Sequence, residues 1–551
     1  MDRASVFPPA STRPRAGAAR ALALAALAVS ACSLSQNGVD PPADTFFYPT
    51  SAVMSPDDTD GQWLYVANSN ADLRFNDGTL VMVNVGMHTD VGTQSGAAFD
   101  RTQAWGQCPQ ADYVNPLPRG DAPICCRDLL DSNVINCDER RYVASDATVR
   151  IGSFAALMVW QRYCDDPCNP NCQATADAGR LLIGVRGDTS LTYVDVAPVG
   201  PAYQNPTAHP EFHCTEGDGL ATSLTECTLK ITDTASVLDV FNGDNEVPEI
   251  DLPDEPYALA LDDPRGFLYV GHLVGSTSVQ DTGGVSLFDA SGTGAVAPPS
   301  FPLGPKLIAP FPSPFGPNNS GLFGVTALEM HEPLGASPGS DREIFVSSRY
   351  VPLVTSMIPL GPSVCGGDDN DDVVLPAGDS LNSALVGSEM RGVEFIDPSP
   401  SVSSANDPLD YAQRAYALQR MPPDLVGFDI AKNEAGATAA TPTDVSETCS
   451  SPTFLYQYPP AALATTQNPS RLFVNCFDTG EVYIFDPNGP TLLSTLQVGR
   501  GPAGMVFDAT RPVGYVLDFT QNIVSVVDLT PGSATQYHVI QRLGFPTVTP
   551  R

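Results

Sequence analysis

The residues of this chain that could do chemistry fall into a few short groups. Cys164, Cys168 and Cys172 recur in four-residue steps, with Cys125 and Cys126 upstream. Thiolates so spaced suit zinc when a second pair of Cys or His completes a tetrahedral set. No second pair follows, and Pro167 and Pro170 put the run in a loop, so disulfides are the better reading. His209-Pro-Glu211-Phe-His213 sets two imidazoles about a carboxylate, but Pro210 opposes the helix that a His-Glu zinc motif needs. Gly335-Ala-Ser337-Pro-Gly339 is spelled like a nucleophile elbow, yet it joins two strands and has no oxyanion partner. Gly499-Arg-Gly501-Pro-Ala-Gly504 is spelled like a dinucleotide loop and also lies between strands. Arg119-Gly-Asp121 and Arg186-Gly-Asp188 are tripeptides that a Gly- and Asp-rich chain produces by chance. Asp368-Asp-Asn-Asp-Asp372 offers the oxygens calcium takes, but Gly366 and Gly367 precede the run and no Glu closes a binding loop. It reads as a solvated acidic loop. These groups assign no catalytic residue, no metal ligand and no cofactor.

One cysteine stands apart. Arg13, Arg15 and Arg20 precede an apolar run from Ala21 to Val29, too short to cross a membrane and of the length of a signal-peptide core. The run ends in Val29-Ser30-Ala31-Cys32. This resembles the bacterial lipobox. The resemblance implies cleavage before Cys32, a diacylglyceryl group on its sulfur and a further acyl chain on the freed amine. Two or three chains anchor a protein where one does not, because each buried methylene adds about 0.8 kcal/mol. Residues 1–31 are then a signal peptide and 32–48 a lipidated polar tether, with a reach of roughly 50 Å at about 3.3–3.6 Å per residue. Ser33 in place of Asp implies, by the enteric sorting rule, the outer membrane of a Gram-negative cell.

With Cys32 assigned to lipid, twelve cysteines remain: Cys108, Cys125, Cys126, Cys137, Cys164, Cys168, Cys172, Cys214, Cys227, Cys365, Cys449 and Cys476. An even number in an oxidising compartment fits disulfides. Nine of them, from Cys108 to Cys227, crowd together, so at least one must reach Cys365, Cys449 or Cys476 or stay free. Local bridges are expected to tie down the stretch 90–178. Cys476, on a repeated strand, is expected to be buried.

The elements that carry these residues are short strands. The 551 residues include 46 Gly and 52 Pro, and only 17% are charged. Net charge is −35; without residues 1–31 it is −38, from 24 basic and 62 acidic side chains. Such a polyanion stays soluble and repels nucleic acid. Internal repeats decide the architecture. Arg471-Leu-Phe-Val-Asn-Cys-Phe-Asp-Thr-Gly-Glu-Val-Tyr-Ile-Phe-Asp486 aligns without a gap on Val513 to Asp528, 42 residues on. Pro502, Asp508 and Val516 have the same spacing as Pro256, Asp262 and Val270, and as Pro460, Thr466 and Val474. Gly501-Pro-Ala-Gly504, Tyr515-Val516 and Val524-Ser-Val-Val-Asp528 resemble the YVTN-type β-propeller repeat. Seven copies follow, closing at 84, 195, 289, 358, 429, 486 and 528. The resemblance implies an all-β chain, a single β-propeller over 49–546 with one blade per copy. Its first and last copies should lie side by side to close the ring. The intervals at about 90–148, 196–245, 291–320, 360–386 and 430–458 read as long loop insertions tied by disulfides.

Function follows less directly. Long loops on a rigid ring suit an envelope-anchored binding or scaffold module for a protein or glycan partner. The alternative is a propeller enzyme, a lactonase, dehydrogenase or hydrolase working in the central funnel, by analogy of fold alone. A channel ringed by Asp, Glu, Asn and His favours catalysis. A channel lined by small or apolar side chains favours binding.

Overall fold

The computed structural model describes residues 38–546 outside 56–62, 87–105, 109–124, 165–173, 198–208, 216–219, 232–251, 253, 263–265, 274–282, 291–304, 313–323, 332–342, 351–353, 358–376, 381–387, 397–412, 433–437, 461–463 and 466–467. Apart from the short strands Cys125–Arg127, Ile135–Cys137 and Thr225–Glu226, its strands group in chain order into seven sheets. Blade 1 comprises Pro49–Met54, Trp63–Asn68, Thr79–Asn84 and Val149–Arg150; blade 2, Ala155–Cys164, Ala174–Val185, Ser190–Ala197 and Glu211–His213. Blade 3 comprises Pro256–Asp262, Phe267–His272, Gly283–Asp289 and Lys306–Pro312; blade 4, Val325–His331, Glu343–Ser348, Val354–Met357 and Ala377–Ser380. Blade 5 comprises Ser388–Ile396, Gln413–Met421, Asp424–Lys432 and Thr438–Glu447; blade 6, Pro452–Tyr458, Arg471–Cys476, Glu481–Asp486 and Thr491–Gln497. Blade 7 comprises Pro502–Phe507, Val513–Asp518, Ile523–Asp528 and His538–Leu543. First strands of consecutive blades touch in a closed cycle, and blade 7 returns to blade 1. The chain is a seven-bladed β-propeller, and its first strands line the central channel. The described residues contain no α-helix.

Both faces of each blade are covered, so the middle strands are apolar without alternation. Every residue of Trp63–Asn68, Phe267–His272, Glu343–Ser348 and Ile523–Asp528 is buried. The core therefore lies between blades. Phe345 of blade 4 packs with Met390 and Val393 of blade 5, and Tyr416 of blade 5 packs with Leu455 and Leu472 of blade 6.

The inner strands share a local device. All seven carry a β-bulge near their start, at Pro49/Ser51, Ala155/Met158, Pro256/Ala258, Val325/Ala327, Met390/Gly392, Pro452/Leu455 and Pro502/Gly504. Proline has no N–H to lose at a bulge on an edge strand, which explains its recurrence there. A residue at the strand start is left-handed in five blades, just before the strand at Tyr48 (φ 51°), Phe154 (58°), Glu255 (52°) and Gly501 (68°) and second in it at Glu389 (59°). The Gly-Pro-x-Gly spelling at 501–504 is thus a left-handed turn followed by a bulge.

Six expected copy ends, Asn84, Asp195, Asp289, Asp429, Asp486 and Asp528, lie in the third strands, and 358 falls one residue past Met357. Three readings need correction. The Pro460–Thr466–Val474 spacing does not mark the inner strand of blade 6. That strand is Pro452–Tyr458, and Pro460 lies in a longer loop leading to Arg471. The stretches 196–245, 291–320, 360–386 and 430–458 are not loop alone. Each holds the outer strand of its blade. An outer strand is an edge facing water, so it lacks the apolar signature; Thr491–Gln497 buries only Leu496. Finally, residues 38–48 are not all free tether. Phe46 and Phe47 are buried, Thr148 Oγ1 donates to the Ala43 carbonyl at 2.6 Å, and Asn76 N–H donates to the Val39 carbonyl at 3.0 Å.

Blades 1 and 7 lie side by side, with Pro49–Met54 against Pro502–Phe507. Among the described residues no strand is shared between the two ends of the chain. Instead, the insertion within blade 1 crosses the seam. Its strand Ile135–Cys137 pairs in parallel with the last strand, Gln541 opposite Ile135 and Leu543 opposite Cys137. Arg542 reaches Asp128 at 3.0 Å, and Gln541 donates to the Tyr142 hydroxyl at 3.1 Å. Cys125–Cys137 and Cys108–Cys126 bridge this insertion locally. Cys214–Cys227 and Cys449–Cys476 complete the four disulfides among the described residues, and Cys476 is fully buried. Cys32, Cys168, Cys172, Cys365 and the side chain of Cys164 lie outside what is described.

Candidate functional site

Register identifies one equivalent slot on every inner strand, opposite a bulky residue of the second strand. Antiparallel partners share a face, so this side chain lies beside its partner at the channel end of the blade. The pairs are Val53 with Tyr65, Val159 with Leu182, Ala260 with Tyr269, and Val506 with Tyr515. In three consecutive blades the slot breaks this apolar pattern. Glu329 faces Phe345, Glu394 faces Tyr416, and Tyr456 faces Phe473. These side chains are half-buried and surrounded by protein. Burial pushes the Glu329 carboxyl up to about 8. Burial, reinforced by the charge of Glu329, raises Glu394 well above the carboxylate range. Among the described residues no cation offsets either. The pair therefore carries at least one proton at neutral pH, as two adjacent desolvated carboxyls must. Tyr456 is raised by burial, and its hydroxyl accepts from Met505 N–H at 3.1 Å.

Above this arc lies the mouth, on the face where the inner strands begin. Tyr257, second residue of its inner strand, is raised by burial and lowered by Arg391, Arg186 and Arg349 around it. These arginines come from blades 5, 2 and 4. Arg186 Nη2 pairs with Glu255 at 2.9 Å; Glu389 takes Arg391 at 3.0 Å and Arg420 at 3.2 Å. The Glu389 N–H donates to the Arg349 carbonyl at 2.6 Å. Glu255 and Glu389 occupy the left-handed positions described above. That conformation costs a non-glycine residue about 1–2 kcal/mol, and such strain concentrates at functional sites. The Nε atoms of Arg186, Arg349 and Arg391 are buried and make no hydrogen bond.

The motifs that stood out in the sequence are not brought together here, with one exception. Arg186 of Arg186-Gly-Asp188 belongs to the mouth, while Asp188 holds Lys230 at 3.1 Å. His209 pairs with Asp146 at 3.2 Å and His213 with Glu211 at 3.8 Å, both far from the channel strands in the outer part of blade 2. No three-residue His, Cys, Asp or Glu cluster fit for metal occurs among the described residues. Ser337, Asp368–Asp372 and Arg119–Asp121 lie outside them. Sequence reasoning missed Glu329, Glu394, Tyr257 and Tyr456, because the repeat alignment rested on second and third strands. The signal was a carboxylate inside the apolar runs Ala327-Leu-Glu-Met330 and Val393-Glu-Phe-Ile396.

No family model matches the chain, and no curated protein sequence matches it. Among solved structures, it is similar to a putative 6-phosphogluconolactonase from Bacteroides uniformis, at 10% identity over 86% of this chain and 89% of that one, with a TM-score of 0.42. It is also similar to the Kuenenia stuttgartiensis hydrazine synthase, at 11% identity over 91% and 99%, with a TM-score of 0.40. The periplasmic gluconolactonase of Pseudomonas aeruginosa is similar at 13% identity over 68% and 84%, with a TM-score of 0.41. Likenesses this distant carry no weight for activity, and the fold assignment rests on the sheet topology.

Proposed function

We propose that this chain is a lipid-anchored cell-envelope protein with YVTN-type repeats that binds a ligand in the central channel of its propeller. The observation that carries this is the broken pattern of the channel slot. Four blades keep a small apolar side chain there, and three neighbouring blades spend desolvation energy on Glu329, Glu394 and Tyr456. Buried carboxyls without partners are costly, and such groups gather where a ligand compensates them. A mostly apolar lining with a few convergent polar groups is the usual build of a binding site.

Gly38 lies beside Asn76 in the loop after Asn68, on the mouth face. A lipid on Cys32 would hold that face towards the membrane, within about 20 Å for six extended residues. The partner would then be met in the space between protein and outer membrane. Cys32→Ser should abolish labelling by a fatty-acid probe; continued labelling would sink the anchor.

The channel reading is tested by equilibrium dialysis of the purified full chain against a cell extract, with mass spectrometry of retained compounds. Wild type should retain compounds that Glu329→Leu/Glu394→Leu does not. Identical sets would refute it. The coupled carboxyls also suit acid–base chemistry, as in enzymes that set two carboxyl groups at different pKa values. Turnover of a retained compound by wild type would move the protein to the enzyme class.

A further inference from the structure

We infer that the channel mouth is an oxyanion site, taking the carboxylate or phosphate of a small molecule between Arg186, Arg349 and Arg391, over Tyr257. This rests on the reading of the channel as a ligand site and names the chemistry that enters it. Three observations converge. First, guanidinium groups from three different blades lie near enough to half-buried Tyr257, on an inner strand, to favour its charged form. Second, their Nε atoms are buried and hydrogen-bonded to nothing, so donors stand ready without an acceptor. A buried donor left unmade is expensive, and a planar fork of donors matches carboxylate and phosphate oxygens. Third, the charge is out of character with the molecule. Among the described residues, Arg186, Arg349, Arg391 and Arg420 meet only Glu255 and Glu389 in ion pairs, a local positive excess on a chain of net charge −35.

The two glutamates also do more than neutralise. Each holds an arginine from a left-handed backbone position, Glu255 on Arg186 and Glu389 on Arg391. The guanidinium groups are therefore oriented before any ligand arrives, which lowers the entropy cost of binding. Arg349 has no carboxylate partner among the described residues, so it is the arginine with most to gain from an anion.

The test is calorimetric titration of the full chain at neutral pH with inorganic phosphate, succinate, glucose and putrescine. Phosphate or succinate should bind, and the preference between them tells a phosphate ligand from a carboxylate. Arg349→Gln should weaken the binding about tenfold or more, the loss of one charge-assisted contact. Arg349→Lys should restore part of it. Arg471→Gln, at the far end of the inner strands, should change nothing. Retained melting temperature in these variants separates lost binding from lost folding. Equal anion binding by wild type and Arg349→Gln would overturn the inference. Binding of glucose or putrescine alone would overturn it too, while leaving the channel as a ligand site. If none of the four binds, the inference also falls, and the dialysis comparison decides whether the channel reading falls with it.

Discussion

Replacing the two channel glutamates by glutamine should stabilise the protein, and more so as the pH rises. Glu329 has a folded-state pKa of about 8 against an ordinary 4.5, raised by desolvation. A raised acid favours folding below its unfolded pKa, where both states are protonated. As pH climbs, the unfolded chain ionises first and folding must retain a proton, so stability is lost between about 4.5 and 8. At about 1.36 kcal/mol per unit, the penalty grows by roughly 4 kcal/mol from pH 5 to pH 9. Water in the channel screens part of this, which makes the figure an upper bound. Glu394 is shifted in the same direction, partly by Glu329 itself, so the two effects are not additive. Asp518, held by burial at about 7, titrates in both proteins and cancels in the comparison. Urea unfolding of wild type and Glu329→Gln/Glu394→Gln at pH 5, 7 and 9 measures the gap. It should be small at pH 5 and widest at pH 9. A gap independent of pH, or one that closes as pH rises, would refute the burial of these carboxyls.

Other outcomes follow from the same structure. Arg180 and Asp195 form an ion pair at 2.6 Å with almost no exposure, and Arg180 also lies over the Tyr193 ring. Arg180→Leu strands the carboxylate and should cost about 3–5 kcal/mol in denaturant unfolding, whereas Arg180→Leu/Asp195→Val should recover most of it. Cys449 and Cys476 close a loop of sequence separation 27, so Cys449→Ala/Cys476→Ala should lose about 3.5 kcal/mol by the chain-entropy relation, read as a lower urea midpoint. Thiol titration of the unfolded, unreduced chain should find at most two free thiols; six or more would break the framework. Gly501→Ala should destabilise by more than about 1 kcal/mol, because the position is left-handed and an added Cβ would meet Thr520 Oγ1 at 2.4 Å. A melting temperature equal to wild type would contradict the turn assignment.

The ring was legible because its middle strands are sandwiched between neighbours. Val474 and Phe485 recur as Val516 and Val527 because each packs against a neighbouring blade. Outer strands face water and inner strands face the channel, so neither is held to that code. Hence Glu211–His213, Lys306–Pro312, Ala377–Ser380 and Thr438–Glu447 hide within apparent loops, and Pro460 mimics Pro452 in spacing. The channel site was illegible for a related reason. Glu329 and Glu394 look like ordinary polar residues until register shows that Val53, Val159, Ala260 and Val506 hold the same place. The arginines of the mouth are scattered from 186 to 420 and meet only once the ring is closed.

The seam between blades 7 and 1 gives the ring a latch in place of a weld. A propeller that borrows a strand from its far terminus can open only by unravelling a blade. Here both flanking blades are complete in themselves, and what spans the gap is the short strand Ile135–Cys137, with its crosslinked hairpin, laid along His538–Leu543. Parting there would break few backbone bonds and leave the four strands of every blade paired. The latch is thus added to a seam already packed by Leu64, Val66, Tyr515 and Leu517, so this joint alone joins apolar packing to backbone pairing supplied by a separable insert.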